Sequence, residues 1–83
     1  MFVGKYKGYD IYVSDRPNKK YYAMVKGRKV HFGSRFHQQY KDKMGYYSSM
    51  DHKDIRRKNL FYLRHGKNAE EGTPLWFASK ILW

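Results

Sequence analysis

The chain has 83 residues, no cysteine and a formal net charge of +11, and aromatic side chains make up 19% of it. Disulfides and thiolate zinc sites are therefore excluded, and the aromatic content is too high for a disordered basic tail. There is room for one domain with a small core, and no apolar run approaches the roughly 20 residues that span a bilayer.

The charge is unevenly spread. Sixteen of the eighteen Lys and Arg residues and all nine tyrosines fall within residues 1–66. The net charge is +6 through Ser34, +5 from Arg35 to Gly66, and zero beyond. A field of that size on so short a chain repels itself and calls for a partner of opposite sign. Nucleic acid is the commonest such partner, DNA before RNA, with an acidic protein as the alternative. The start, Met1-Phe2-Val3-Gly4-Lys5, lacks the apolar stretch and cleavage site of a secretory signal, so an interior setting is expected.

Residues 9–14 alternate as a strand does, Tyr9, Ile11 and Val13 on one side and Asp10, Tyr12 and Ser14 on the other. Asp15-Arg16-Pro17-Asn18 reads as a turn. Tyr21–Val25 and Lys29–Phe32 then read as a hairpin closed at Gly27-Arg28 by a type II′ turn. Residues 1–33 are expected to form a three-stranded antiparallel meander, with room for a short extra strand at Phe2–Tyr6.

From Ser34 the period changes. Ser34 can cap a helix, Phe36, Tyr40 and Met44 recur every four residues, and Gly45 is a stop signal. A second helix is expected from Asp51 to His65, ended by Gly66, with Ile55, Leu60, Tyr62 and Leu63 on its apolar side. Lys53, Arg57 and Arg64 fall within about 40° of one another on that projection. Thr73-Pro74 opens a third, short helix from Leu75 to Trp83, nearly all apolar and so bound to be buried against the sheet or a partner. The expected architecture is a single small α+β domain over residues 1–83: a β-meander through residue 33, then two to three short helices.

The interleaving of cations with aromatics carries the functional signal. Lys19, Lys20, Arg28, Lys29, Lys53, Arg57 and Arg64 are the candidate phosphate contacts, and Tyr12, Tyr22 and Tyr47 the candidate stacking residues. Each also has a plainer role open to it, the tyrosines as sheet packing and the cations as a solvated face. His31, His37, His52 and His65, with Asp51 and Asp54, could build a β-β-α nuclease-like cluster around a hard cation. No two histidines are spaced as helix-borne metal ligands, however, and no phosphate-binding glycine loop or acyl-transfer motif is present. Neither a catalytic residue nor a cofactor is therefore assigned. Trp76 and Trp83 fit either a core or a protein anchor.

The run Tyr21-Tyr22-Ala23-Met24-Val25-Lys26-Gly27-Arg28-Lys29-Val30-His31-Phe32-Gly33 resembles the opening of a set of small basic proteins of large DNA viruses and some phages. Asp51-His52-Lys53-Asp54, Arg56-Arg57-Lys58 and Tyr62-Leu63-Arg64-His65-Gly66 are similar to their middle block. Gly72-Thr73-Pro74-Leu75-Trp76-Phe77, with Leu82-Trp83, is similar to their close. The resemblance spans residues 20–83 and implies a viral origin, in a virion or an infected cell. A weaker architectural likeness, over residues 21–33, is to AP2-type and integrase arm-type DNA-binding domains, whose sheet lies in the major groove. The reading is a virus-encoded nucleic-acid-binding protein of low sequence specificity. A minor capsid or core virion protein is the alternative, and a metal-dependent nuclease the second alternative.

Overall fold

Two Lys-Gly pairs shape the sheet. Lys7 and Gly8 lie at φ 48° and 86°, and Lys26 and Gly27 at φ 50° and 78°. Positive φ at both central residues defines the type I′ turn, whose twist matches that of paired strands. Each pair therefore closes a two-residue hairpin: β1 (Phe2–Tyr6) with β2 (Tyr9–Val13), and β3 (Lys19–Val25) with β4 (Arg28–Ser34). The computed structural model describes all 83 residues and arranges these strands as one antiparallel sheet in the order β1-β2-β3-β4. Phe2–Tyr6 is thus a full strand, making the sheet four-stranded rather than three-stranded. The second turn is centred one residue earlier than expected and is type I′, not II′. The expected turn between β2 and β3 forms, with the Lys19 amide donating to the Arg16 carbonyl.

Register sets the two faces. Ile11 pairs with Ala23, Val13 with Tyr21, Tyr21 with Phe32, and Ala23 with Val30. This face carries the core, in which Ile11, Tyr21, Ala23 and Phe32 pack with Trp76, Phe77, Ile81 and Leu82. The last four belong to or follow α2 (Pro74–Ile81). Its Thr73 cap accepts from the Trp76 amide, as the Thr-Pro pair predicts. The apolar terminal helix therefore covers the sheet, and Trp76 is a core residue.

The helix expected from Ser34 does not form. Ser34 caps only a single turn, its Oγ accepting from the Phe36 amide. Later amides find acceptors elsewhere: Gln39 at Met50, Lys41 at Leu82 and Lys43 at Ile81. The last two satisfy carbonyls at the end of α2 that its own ladder leaves open. Asp42 accepts from the Tyr21 hydroxyl and from the Met44 and Tyr47 amides, which fixes the loop in a non-helical shape. A 3-10 turn follows at Ser48–Met50.

Asp51, expected to open the next helix, instead accepts from Gln39 Nε2 and the Asp42 amide. Asp54 takes over as cap, accepting from the Arg56 amide at 2.9 Å, and α1 runs Ile55–His65. Its inward residues are Phe61, stacked on Trp83 at 4.7 Å, and Tyr62, whose hydroxyl donates to the Ser79 carbonyl. Ile55, Leu60 and Leu63, expected to face the core with Tyr62, are at least half exposed. Two aromatic rings provide more contact area than the aliphatic side, and they decide which way the helix turns.

Candidate nucleic-acid interface

A four-stranded meander puts its first and third turns at the same end of the sheet, so both Lys-Gly tips project there, with Lys5 and Arg28 in the flanking strands. A lysine in the left-handed region costs about 1–2 kcal/mol, and asparagine would fit either position better. Local strain of this kind concentrates at functional positions. Neither Lys7 nor Lys26 is among the predicted contacts; the Lys-Gly pair shared by residues 7–8 and 26–27 was the signal.

The sheet face away from α2 carries one cross-strand row. Phe2 pairs with Tyr12, Tyr12 with Tyr22, and Tyr22 with His31. The Tyr12 and Tyr22 rings are stacked at 4.9 Å and 11°, and the Lys29 ammonium lies 4.8 Å from the Tyr22 centroid. Each tyrosine thus spends one ring face on the other, forming a ridge rather than a flat platform. Lys29 also pairs with Asp15 at 3.0 Å, a bond that raises its pKa above the ordinary lysine value. Ser14 Oγ lies 2.8 Å from His31 Nδ1, and burial lowers the His31 pKa below its ordinary value.

Tyr47 does not join this row. Its ring packs edge-on against buried Tyr21 at 5.3 Å, so its expected role as a stacking residue is corrected to core packing. Lys19 is half buried and its carbonyl accepts from Arg35 Nε at 2.6 Å. Lys53 is exposed at φ 56° just outside α1, which breaks the predicted three-cation helical stripe and leaves Arg57 and Arg64.

Those two arginines border a groove of about 460 Å³ between α1 and the segment after β4. Lys20, His37, Arg57, Arg64 and His65 contribute its polar lining, and none of the thirteen lining residues is Asp or Glu. Leu60, Phe61, Leu82 and Trp83 form an apolar wall. Strand alternation would place Lys20 on the open face beside Tyr22, as a surface phosphate contact. It is instead 1% exposed, with its ammonium donating to the His37 carbonyl at 2.6 Å. Burial lowers its pKa to about 8, against the opposing pull of Asp42 and Asp51. Opposite it, Gly33 holds φ 76°, and a Cβ there would come 2.7 Å from Leu82 Cδ1 and 3.3 Å from Lys20 Cβ. Glycine is what lets the lysine stem and the leucine meet over β4.

The histidines do not converge as a nuclease centre would require. His37 and His65 border the groove, whereas His31 sits on the sheet and His52 Nδ1 accepts from the Asp54 amide. Asp51 and Asp54 are spent on the loop and the helix cap, and no three His, Asp or Glu side chains come together to hold a metal ion.

No protein-family model, no curated protein and no solved structure matches this chain. No helix is long and apolar enough to cross a membrane.

Proposed function

We propose that this chain is a small basic nucleic-acid-binding protein that acts largely through electrostatics and with low sequence specificity, on DNA in preference to RNA. One observation carries the reading. Of eighteen Lys and Arg residues, only Lys5 and Lys29 have a carboxylate within 4.0 Å. The remaining acids are mostly engaged internally: Asp42 and Asp51 in the loop, Asp54 at the α1 cap, and Glu71 with the Tyr9 hydroxyl. The excess positive charge is thus left for a partner, and a polyanion repays its self-repulsion. The two strained Lys-Gly tips, with Arg28 and the ridge-side Lys29, are the contacts favoured for duplex backbone. The resemblance of residues 20–83 to small basic proteins of large DNA viruses and phages supports a viral setting.

The test is salt dependence. With about five phosphates contacted, log K on duplex DNA falls against log salt with a slope of about −4 to −5. A flat response, or no binding at low salt, rejects the reading.

A role as a minor structural virion protein is the second reading, favoured by Phe36 and Leu63, exposed at 75% and 80%. Its anchor would be one of these exposed side chains, because Trp76, Phe77, Ile81 and Leu82 are core. Removing residues 74–83 would therefore unfold the domain rather than only block assembly. Concentration-dependent self-association lost in Leu63→Glu, with DNA binding retained, would favour this reading.

A further inference from the structure

We propose that the groove between α1 and the segment after β4 is a pocket for the phosphomonoester end of a nucleic-acid strand, with the phosphate on Lys20, Arg57 and Arg64 and the terminal base against the Phe61–Trp83 wall. This rests on the nucleic-acid reading and assigns a separate subsite within it.

A buried ammonium is ordinarily paired with a carboxylate. Lys20 is 1% exposed, yet only the three ion pairs Lys5–Asp10, Lys29–Asp15 and His31–Asp15 occur, none of them involving it. One of its three donors goes to the His37 carbonyl, which leaves hydrogen-bonding capacity for an anion in the groove it borders. Arg57 spends one nitrogen on Gln38 Oε1 at 2.9 Å, which steadies the guanidinium and leaves other donors free. Arg64 lies two turns further along the same helix and borders the same groove. Asp42 and Asp51 act on the ammonium from the loop side but neither pairs with it nor lines the groove, so lysine and arginine donors border a groove free of carboxylates, and guanidinium geometry suits phosphate oxygens.

Two features narrow the ligand. The ammonium is recessed, so a strand end can insert toward it, whereas an internal phosphodiester is held away by the chain on both its sides. A phosphomonoester also carries about −1.5 to −2 charge near neutrality, matching a groove lined by several cations better than a single phosphodiester does. The groove also has an apolar lining that includes the Phe61–Trp83 stack, parallel to within 4°, with Phe61 between Arg57 and Arg64 on the same face of α1. A groove of this volume is of the size that takes one small organic ligand. Cations for a phosphate and an adjoining ring stack for a flat base describe one terminal nucleotide.

The experiment compares the full chain's affinity for single-stranded hexamers of one sequence carrying a 5′-phosphate, a 3′-phosphate or hydroxyls at both ends, at fixed salt. One phosphorylated end is expected to bind about tenfold tighter than the hydroxyl form, the scale of one charge-assisted hydrogen bond. The advantage is lost in Arg64→Gln, an exposed position that leaves the fold intact, and in Lys20→Met. The two phosphorylated arms decide which end is read. Equal affinity for all three hexamers, with a steep salt slope retained, overturns the pocket and leaves the electrostatic reading standing. If no hexamer binds, both the strand-end pocket and the nucleic-acid reading are overturned.

Discussion

The Tyr21 hydroxyl donates to the Asp42 carboxylate inside the protein, across 21 positions of sequence. Tyr21 is fully buried and Asp42 nearly so, and burial followed by this bond pushes the phenol pKa well above its ordinary value. The pair joins the central strand to the loop that replaces the expected helix. Tyr21→Phe removes one donor from a buried carboxylate that keeps two amide partners. The expected loss is about 1–3 kcal/mol, measured by urea unfolding. A change below about 0.5 kcal/mol, the ordinary range of surface substitutions, would mean the two amides suffice.

Gly33→Ala would place a Cβ 2.7 Å from Leu82 Cδ1 at a backbone φ of 76°. Overpacking and a left-handed alanine both oppose folding, together by about 2–4 kcal/mol. Thermal unfolding should show a clear drop in Tm, and an unchanged Tm would refute the close approach of Leu82 to β4.

Lys7→Asn and Lys26→Asn should each stabilise the fold, by about 0.5–1 kcal/mol, because asparagine tolerates the left-handed turn position. On the nucleic-acid reading, each should also reduce the salt slope of DNA binding by about one. Gained stability with an unaltered slope would mean that the tips do not touch phosphate.

Lys20 makes stability depend on alkaline pH. Its native pKa of about 8 lies below the ordinary value of 10.5. Between those values the unfolded chain holds a proton that the native chain has released, so this group's contribution to stability rises with pH. Below about 8 both states are protonated and the contribution is constant. Asp42 and Asp51 from the loop act on the ammonium, the His37 carbonyl accepts from it, and Arg57, Arg64 and His65 on α1 line the groove it borders. Wild type should gain on Lys20→Met as pH rises from about 8 toward 10.5, read as the difference in unfolding free energy. A difference that does not vary with pH would place the ammonium in solvent. Phosphate in the groove should hold the proton on, so binding above pH 8 should take up protons from the buffer.

Elements specified by neighbouring residues were legible in the sequence. The alternation of Tyr9 to Ser14, the Asp15–Asn18 turn, the Gly66 stop and the Thr73-Pro74 start all appear where local chemistry puts them. The Lys7-Gly8 hairpin was equally local, but its short first strand lacked the alternation that marks β2. Phe36, Tyr40 and Met44 had a helical period, and it misled because the backbone amides there are bonded to Met50, Ile81 and Leu82. No periodicity in a segment reports acceptors that arrive from another part of the chain.

The candidate contacts divide in the same way. The sequence alone determined the +11 charge, its concentration in residues 1–66, the absence of cysteine and a basic hairpin whose turn, expected at Gly27-Arg28, the structure centres on Lys26 and Gly27. Only the tertiary structure packed Tyr47 against the core, paired Tyr12 with Tyr22, and buried Lys20 at the groove that Arg57 and Arg64 also line. Charge is a sum over residues and survives any fold. Exposure and convergence depend on which surfaces meet, and those were set by α2 burying its apolar side on the sheet and by Asp42 tying the loop, which Asp51 braces, to Tyr21 of β3.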